Sequence, residues 1–421
     1  MGLFEHFISL EISELSPLLT IGFLLLASFS GGELASRLKA PRVIGYLATG
    51  ILTGIIFKGP LHNIVFLHDL NIITHIALAI IAFSIGGSLE LSKVKRLGGQ
   101  ILTITVFQAF GAFLLATIAT AVFLLITECS FEVHSCFISA YFPFALVIGA
   151  ISAATAPAAT LAIIHEYRAK GAFTTTLLGV VALDDALTIF IYAFAASIAH
   201  SLIGGGSLTI SNLFAEPVYS VFVSVLSGLA MGMVVKTLIR YIRNREIMLG
   251  VIIGGIFLTS GIAEILKGHA IMANMVLGFI VINFVEHHND IFSVVESVEE
   301  PFFGLFFTLA GTHFDLKLMQ AAGILALVIT GSRFAGKIFG SAFGSQISHA
   351  PANVRKYLGL ALLPTAGVTV GLAFDAQAYL GEAAFSEIML SAVLGSVLLN
   401  EFMTPFIVKS VLYKCGEANA F

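Results

Sequence analysis

Two adjacent carboxylates, Asp184 and Asp185, stand inside an otherwise apolar run from Thr176 to Tyr192. Ionisable groups are costly in hydrocarbon and face a bundle interior or a wet cavity, so such a pair marks an ion or proton pathway. Adjacent helical residues point about 100° apart, so the two cannot share one environment. One can pair with a cation while the other stays free. Desolvation favours the protonated form of the unpaired carboxylate, and a nearby ammonium keeps its partner ionised. A carboxylate that gains and loses a proton in use can exchange it for a hard monovalent cation, since both compete for the same oxygens. That is the chemistry of antiport, with no enzyme activity and no cofactor expected.

Three further segments bear on this pair. Arg333 and Lys337 lie four residues apart within Thr330–Gly340, on one helix face. Gly336, Gly340 and Gly344 form a small-residue strip that lets this helix pack closely, placing its charges inside protein and away from lipid. Two other apolar stretches each combine a central Pro with several Thr: Ser152–Thr160, with Thr155, Ala156 and Pro157, and Leu363–Gly371, with Pro364, Thr365 and Gly367. Pro removes a backbone donor and clashes with the preceding turn, while Thr hydroxyls can satisfy the freed carbonyls. Both are read as broken helices.

The elements that must position these residues follow from composition. With 58% hydrophobic residues, 11% charged and a mean hydropathy of +1.00, the 421-residue chain is a polytopic membrane protein. About 13 apolar stretches of spanning length, at ~20 residues each, are placed near 17–37, 41–57, 70–91, 98–127, 138–164, 171–200, 217–241, 247–266, 269–285, 301–313, 320–344, 354–375 and 384–413. The two breaks fall on spans 5 and 12. A weaker echo joins Phe83–Glu90 at the end of span 3 to Phe307–Asp315 at the end of span 10. Both offsets are seven spans, and an odd offset makes the two six-span units inverted with respect to each other. The expected organisation is therefore a first unit over 1–200, a linker helix over 201–245 and a second unit over 246–421, with the broken helices crossing near the midplane.

Lys and Arg collect in alternate loops, at Arg37–Arg42, Lys93–Arg96, Arg168–Lys170, Lys236–Arg245, Arg355–Lys356 and Lys409–Lys414, whereas opposite loops hold only Lys58, Lys267 and Lys317. The positive-inside rule puts the N-terminus outside and the C-terminus in the cytoplasm. The N-terminal stretch carries Glu5, Glu11 and Glu14 and does not resemble a cleavable signal, so the first span is expected to be retained. No basic run suits nucleic acid. Cys129 and Cys136 fall in an outside loop, bridged or free, and Cys415 lies inside. Glu33 and Arg37 read as an interfacial ion pair. Glu286–Asp290, with Glu296, Glu299 and Glu300, reads as a solvated cytoplasmic loop.

The Asp-Asp helix, the Thr-Ala-Pro break before it and the Ala335–Gly340 segment together resemble the monovalent cation:proton antiporters, specifically the electrogenic bacterial sodium/proton branch with 13 spans. The resemblance runs from Pro41–Gly50 to the last span. It implies that Asp185 is the carboxylate that carries Na+ (or Li+) and the proton, that Asp184 pairs with Lys337, and that Thr155 lines the first break. It further implies alternating access in a bacterial inner membrane, and a homodimer built largely from span 1 and the linker helix, where Gly228 and Gly232 suit close packing. Some relatives have an acidic residue where this chain has Ala156, so one cation ligand is missing. The nucleotide-binding domain of potassium-efflux relatives is not expected after the last span. The alternatives are a K+/H+ antiporter, a channel and, remotely, an intramembrane aspartyl protease. The protease would need a second Asp in a Gly-x-Gly-Asp context on another helix, and this chain has none.

Overall fold

Uninterrupted apolar stretches of ~20 residues have one solution in a membrane, because every backbone N–H and C=O must be satisfied within the segment. The computed structural model describes residues 17–37, 42–56, 64–127, 141–156, 160–161, 163–164, 167–203, 210–242, 244–285, 288–312, 318–365, 367–380 and 384–418, and all regular structure among them is helical. Among these residues seven helices are long and apolar enough to cross a membrane, with shorter apolar ones between them. The chain forms an all-α polytopic membrane protein.

In chain order the helices are α1 (Pro17–Arg37), α2 (Arg42–Ile56), α3 (Ile64–Ser88), α4 (Leu91–Thr127), α5 (Phe142–Ile151), α6 (Ala172–Ile203) and α7 (Ile210–Ile239), then α8 (Arg245–Ile265), α9 (Ala270–Phe284), α10 (His288–Thr312), α11 (Leu318–Ile347), α12 (Ala352–Ala361), α13 (Gly367–Leu380) and α14 (Ala384–Lys414). The expected start of span 4 at residue 98 coincides with Gly98, whose φ of 73° interrupts α4.

One expectation is corrected. Residues 288–300 are not a loop but the first half of α10, and the helix begins well before the span placed at 301–313. Ile291 and Val295, one turn apart and fully buried, give this acidic stretch an apolar stripe, and Phe292 stacks on Phe83 with ring centroids 5.1 Å apart. The acidic residues had hidden that stripe.

Contacts divide the chain into two units. The smaller comprises Met1–Ala77 and Val298–Asp315. In it α1 and α2 approach backbone to backbone, since a Cβ at Gly45 would strike the Gly31 carbonyl, and the Thr308 hydroxyl donates to the Tyr46 carbonyl at 3.2 Å. Arg37 pairs with Glu33 at 3.1 Å on the exposed end of α1, as the spacing predicts. The larger unit, Leu78–Ser297 with Leu316–Phe421, carries both breaks.

Within the larger unit α11 lies against α4 through the expected glycine strip. A Cβ on Gly336 would sit 2.5 Å from the Ala112 Cα, and one on Gly111 would sit 2.7 Å from the Gly336 carbonyl oxygen. Gly340 abuts Phe107 and Gln108 in the same way. Gly228 and Gly232 of α7 also pack closely, but against Val276 and Ile280 of α9 in the same chain.

Both expected breaks are present. After α5 the chain closes a tightened turn, with Ala153 N–H on the Ala150 carbonyl at 3.1 Å and Ala154 N–H on the Ile151 carbonyl at 3.3 Å, and helix resumes at Thr160. Ala156 precedes a proline and is thereby disfavoured in helical conformation. The second break runs from Leu362 to Thr365, between α12 and α13.

Candidate functional site

A broken helix leaves backbone donors and acceptors that buried surroundings must satisfy. Here the first break donates to the carbonyls of the second. Ala156 N–H donates to the Pro364 carbonyl at 2.9 Å, and the Thr155 hydroxyl donates to the Leu362 carbonyl at 3.1 Å. Gly367 opens α13, and the Thr365 hydroxyl bonds that of Thr369 one turn on. Pro157 lies outside the described residues, as do Cys129 and Cys136.

The carbonyls that remain face α11. Arg333, 1% exposed, donates through Nη1 to the Leu363 carbonyl at 2.6 Å and through Nη2 to the Ala154 carbonyl at 2.6 Å and the Pro364 carbonyl at 3.4 Å. Its fork thus spans both breaks. Arg333 was expected as a charge partner beside Lys337, and the charge it meets is that of the negative carbonyl ends. One turn along α11, Lys337 is fully buried and shares its three ammonium protons among four acceptors: Asp184 Oδ2 at 2.9 Å, Thr155 Oγ1 at 2.8 Å, Gln108 Oε1 at 2.6 Å and the Ala153 carbonyl. The close approach that α11 needs for this reach is what its glycines provide.

Gln108 on α4 was not singled out from sequence. Its amide donates to Asp184 Oδ1 and to the Thr105 carbonyl at 3.1 Å, while its carbonyl accepts from Lys337. An amide in the middle of span 4 was the available signal, since burying an unsatisfied amide is costly.

Asp184 is therefore enclosed, with both oxygens bonded. Asp185 is different. It is 4% exposed, and its Oδ1 is buried with no hydrogen-bond partner among the described residues. Thr188 Oγ1, three residues further on α6, is also buried without a partner among them. Two oxygens one helix turn apart, left open on the helix of a satisfied ion pair, are what a desolvated monovalent cation or a proton would complete.

Residues 23–412 match the family model described as sodium/hydrogen exchanger, transmembrane. The chain belongs to the sodium/hydrogen exchanger family. This exchanger is 25% identical over 351 residues, 74% of its length and 72% of the other, to the high-affinity Na+/H+ antiporter NhaS3 of Synechocystis. Its fold is similar to two structures of the sodium proton antiporter MjNhaP1 of Methanocaldococcus jannaschii. One, determined at pH 8, gives a TM-score of 0.75 at 17% identity over 94% of this chain and 98% of that one. The other, an electron-microscopy structure, gives 0.72 at 18% identity over 97% and 100%.

Proposed function

We propose that this exchanger moves Na+ against protons by alternating access, with Asp185 as the carboxylate that holds either ion and Asp184 as the partner of Lys337. The observation that carries the reading is the asymmetry of the pair: Asp184 has both oxygens bonded, whereas Asp185 Oδ1 has no partner among the described residues. Thr188, also open, supplies a second oxygen to the cation. Thr155 lines the site but is committed to Lys337 and the Leu362 carbonyl, and Ala156 contributes its backbone alone. The sodium/proton activity of the antiporter relatives supports Na+ as the cargo.

The crossed breaks support two inverted six-helix units over 1–200 and 246–421, joined by a linker at 201–245. The basic loops support an N-terminus outside and a C-terminus in the cytoplasm of a bacterial inner membrane. We further propose a homodimer. The exposed Phe23, Leu26 and Leu34 of α1, and separately the exposed Phe222, Leu226 and Met233 of α7, offer apolar faces to lipid or to a second copy. Gly228 and Gly232 do not contribute to it, being occupied by α9.

The test is proton flux from reconstituted vesicles against Na+, Li+ and K+ in turn, for the wild type and Asp185→Asn. Na+-driven flux that disappears in the variant is expected. Flux driven by K+ alone would reassign the cargo, and flux that persists in the variant would overturn the role of Asp185.

A further inference from the structure

Asp375, on the second half of the broken helix, is a membrane carboxylate to which the exchange reading gives no task. It accepts the Tyr192 hydroxyl at 2.7 Å. Tyr192 is buried on α6 seven residues beyond Asp185, hence on the same face and about 10 Å along the axis. Asp375 lies about 12 Å along α13 from Gly367. The two helices run the same way, because Leu358 and Ala361 before the break share a packed cluster with Phe173 and Leu177 at the start of α6. The Tyr192–Asp375 pair therefore sits beyond the ion site, toward the C-terminal ends of α6 and α13.

An aromatic contact and then polar ones continue from there. The His269 ring meets the Tyr192 ring edge-on with centroids 6.3 Å apart, and His269 Nε2 lies 2.9 Å from Ser197 Oγ. Ser197 Oγ lies 2.7 Å from Ser220 Oγ. Both serines line a cavity of about 460 Å³ with His200, Glu216, Glu264 and Lys267. Polar groups thus lead from that cavity through Ser220, Ser197 and His269 to the edge of the Tyr192 ring, whose hydroxyl holds Asp375, while Ile189, Ala193 and Ala196 on the same stretch of α6 are apolar and buried.

We infer that Tyr192 and Asp375 form the gate between this cavity and Asp185, and that Asp375 holds the monovalent cation on the cavity-side half of its path. An ion leaving water needs oxygen ligands at each step, and between the serines and the ion site the Asp375 carboxylate offers the strongest of them. In the closed state it is held by the Tyr192 hydroxyl, and opening transfers it to the cation. The inference rests on Asp185 as the terminal site.

The experiment uses the full chain in vesicles of defined orientation, with the half-saturating Na+ concentration measured at each face for the wild type, Asp375→Asn, Asp375→Glu and Tyr192→Phe, alongside thermal stability with and without Na+. Asp375→Asn is expected to raise half-saturation at the cavity face about tenfold, with half-saturation at the opposite face unchanged. Asp375→Glu should restore much of the loss, and Tyr192→Phe should shift the same face alone. Unchanged values at both faces, or equal shifts at both faces with loss of thermal stability, would overturn the gate. Asp185→Asn in the same vesicles reads the underlying assignment separately, since its failure would appear as exchange that survives without that carboxylate.

Discussion

Lys337 Nζ stands 2.9 Å from Asp184 Oδ2, and both side chains are fully sealed from solvent. A buried pair of this kind is stable only when its remaining donors and acceptors are met, because desolvation otherwise exceeds the Coulombic gain. Gln108, Thr155 and the Ala153 carbonyl meet those of Lys337, and Gln108 meets the second oxygen of Asp184. The next residue along the helix receives none of these bonds. Asp185 is thereby the group whose occupancy can change without dismantling the core.

Asp185→Asn keeps the shape and removes the titratable group. Exchange should vanish while the protein still folds, and the rise in melting temperature on adding Na+ should be lost with it. That rise follows RT ln(1 + [Na+]/Kd), about 2.7 kcal/mol at a hundredfold excess over Kd, so its absence is measurable. Retained Na+ stabilisation in the variant would move the cation elsewhere.

Gln108→Leu tests the residue that bridges both charges. It strips a donor from Asp184 and an acceptor from Lys337, two buried charged groups, so a loss of about 1–3 kcal/mol is expected in thermal or denaturant unfolding. Gln108→Asn, too short to reach both, should fall close to Leu. Unaltered stability in both variants would show that the amide is dispensable to the pair.

Gly336, Gly340 and Lys337 show how much of this site could be read in the chain. The spacing of the glycines and of Arg333 and Lys337 is local, and one helix turn is enough to predict both the packing strip and the shared charged face. The prolines and threonines of the two breaks are equally local. What Arg333 and Gln108 touch is not, because both meet groups brought together only when α4, α11 and the breaks converge. Carbonyl acceptors such as Ala154 and Leu363 carry no side-chain signature at all. α10 is the opposite case: its acidic residues mask the buried Ile291 and Val295, and the sequence pattern reads as a loop where the chain is helical.

The strip itself can be probed by size. Gly340→Val would drive a branched side chain into the Phe107 and Gln108 backbone, pushing α11 off α4 and lifting Lys337 out of its four contacts. Overpacking of this kind costs about 1–3 kcal/mol, and exchange should fall with it. Gly331→Ala, on the same helix with no atom within 4 Å of the added Cβ, is the control and should behave as wild type. Equal behaviour of the two variants would refute the close approach.

Glu417 links the C-terminal segment to the helix of the ion site. Its carboxylate accepts the N–H groups of Phe173 and Thr174, each at 2.8 Å, and the Thr174 hydroxyl at 2.8 Å, filling the first turn of α6. Gly416, at φ +70°, makes the turn that brings it there. Beside it the Cys415 thiol is pushed up to about 11 by burial and by the Glu417 carboxylate. A raised value means less thiolate at neutral pH, so alkylation of Cys415 should be slow in the wild type and faster in Glu417→Gln. Loss of the cap should also cost about 1 kcal/mol of stability. A membrane-impermeant reagent should reach Cys415 from the cytoplasmic face only, and labelling from outside in intact cells would reverse the proposed orientation.

Charge movement is the last and most exacting expectation. Asp184, Asp185 and Lys337 sum to one negative charge, with the Arg333 guanidinium facing the carbonyl ends of both breaks. A sodium ion at Asp185 brings the three groups to neutrality. In the return step Asp185 takes a proton, and a second proton can join if the Lys337–Asp184 pair opens and Asp184 is protonated while Lys337 keeps its charge. More than one proton then returns per cation, and the cycle carries net charge. Lys337→Gln should weaken voltage coupling, but breaking a buried pair by removing one partner costs about 3–5 kcal/mol, so that variant must be scored against its folding. The wild type avoids the difficulty: a Na+ gradient across proteoliposomes should drive a current whose sign reverses with the gradient. Vigorous exchange with no current at any pH would defeat electrogenic transport through this pair, even with Asp185 confirmed as the ion carrier.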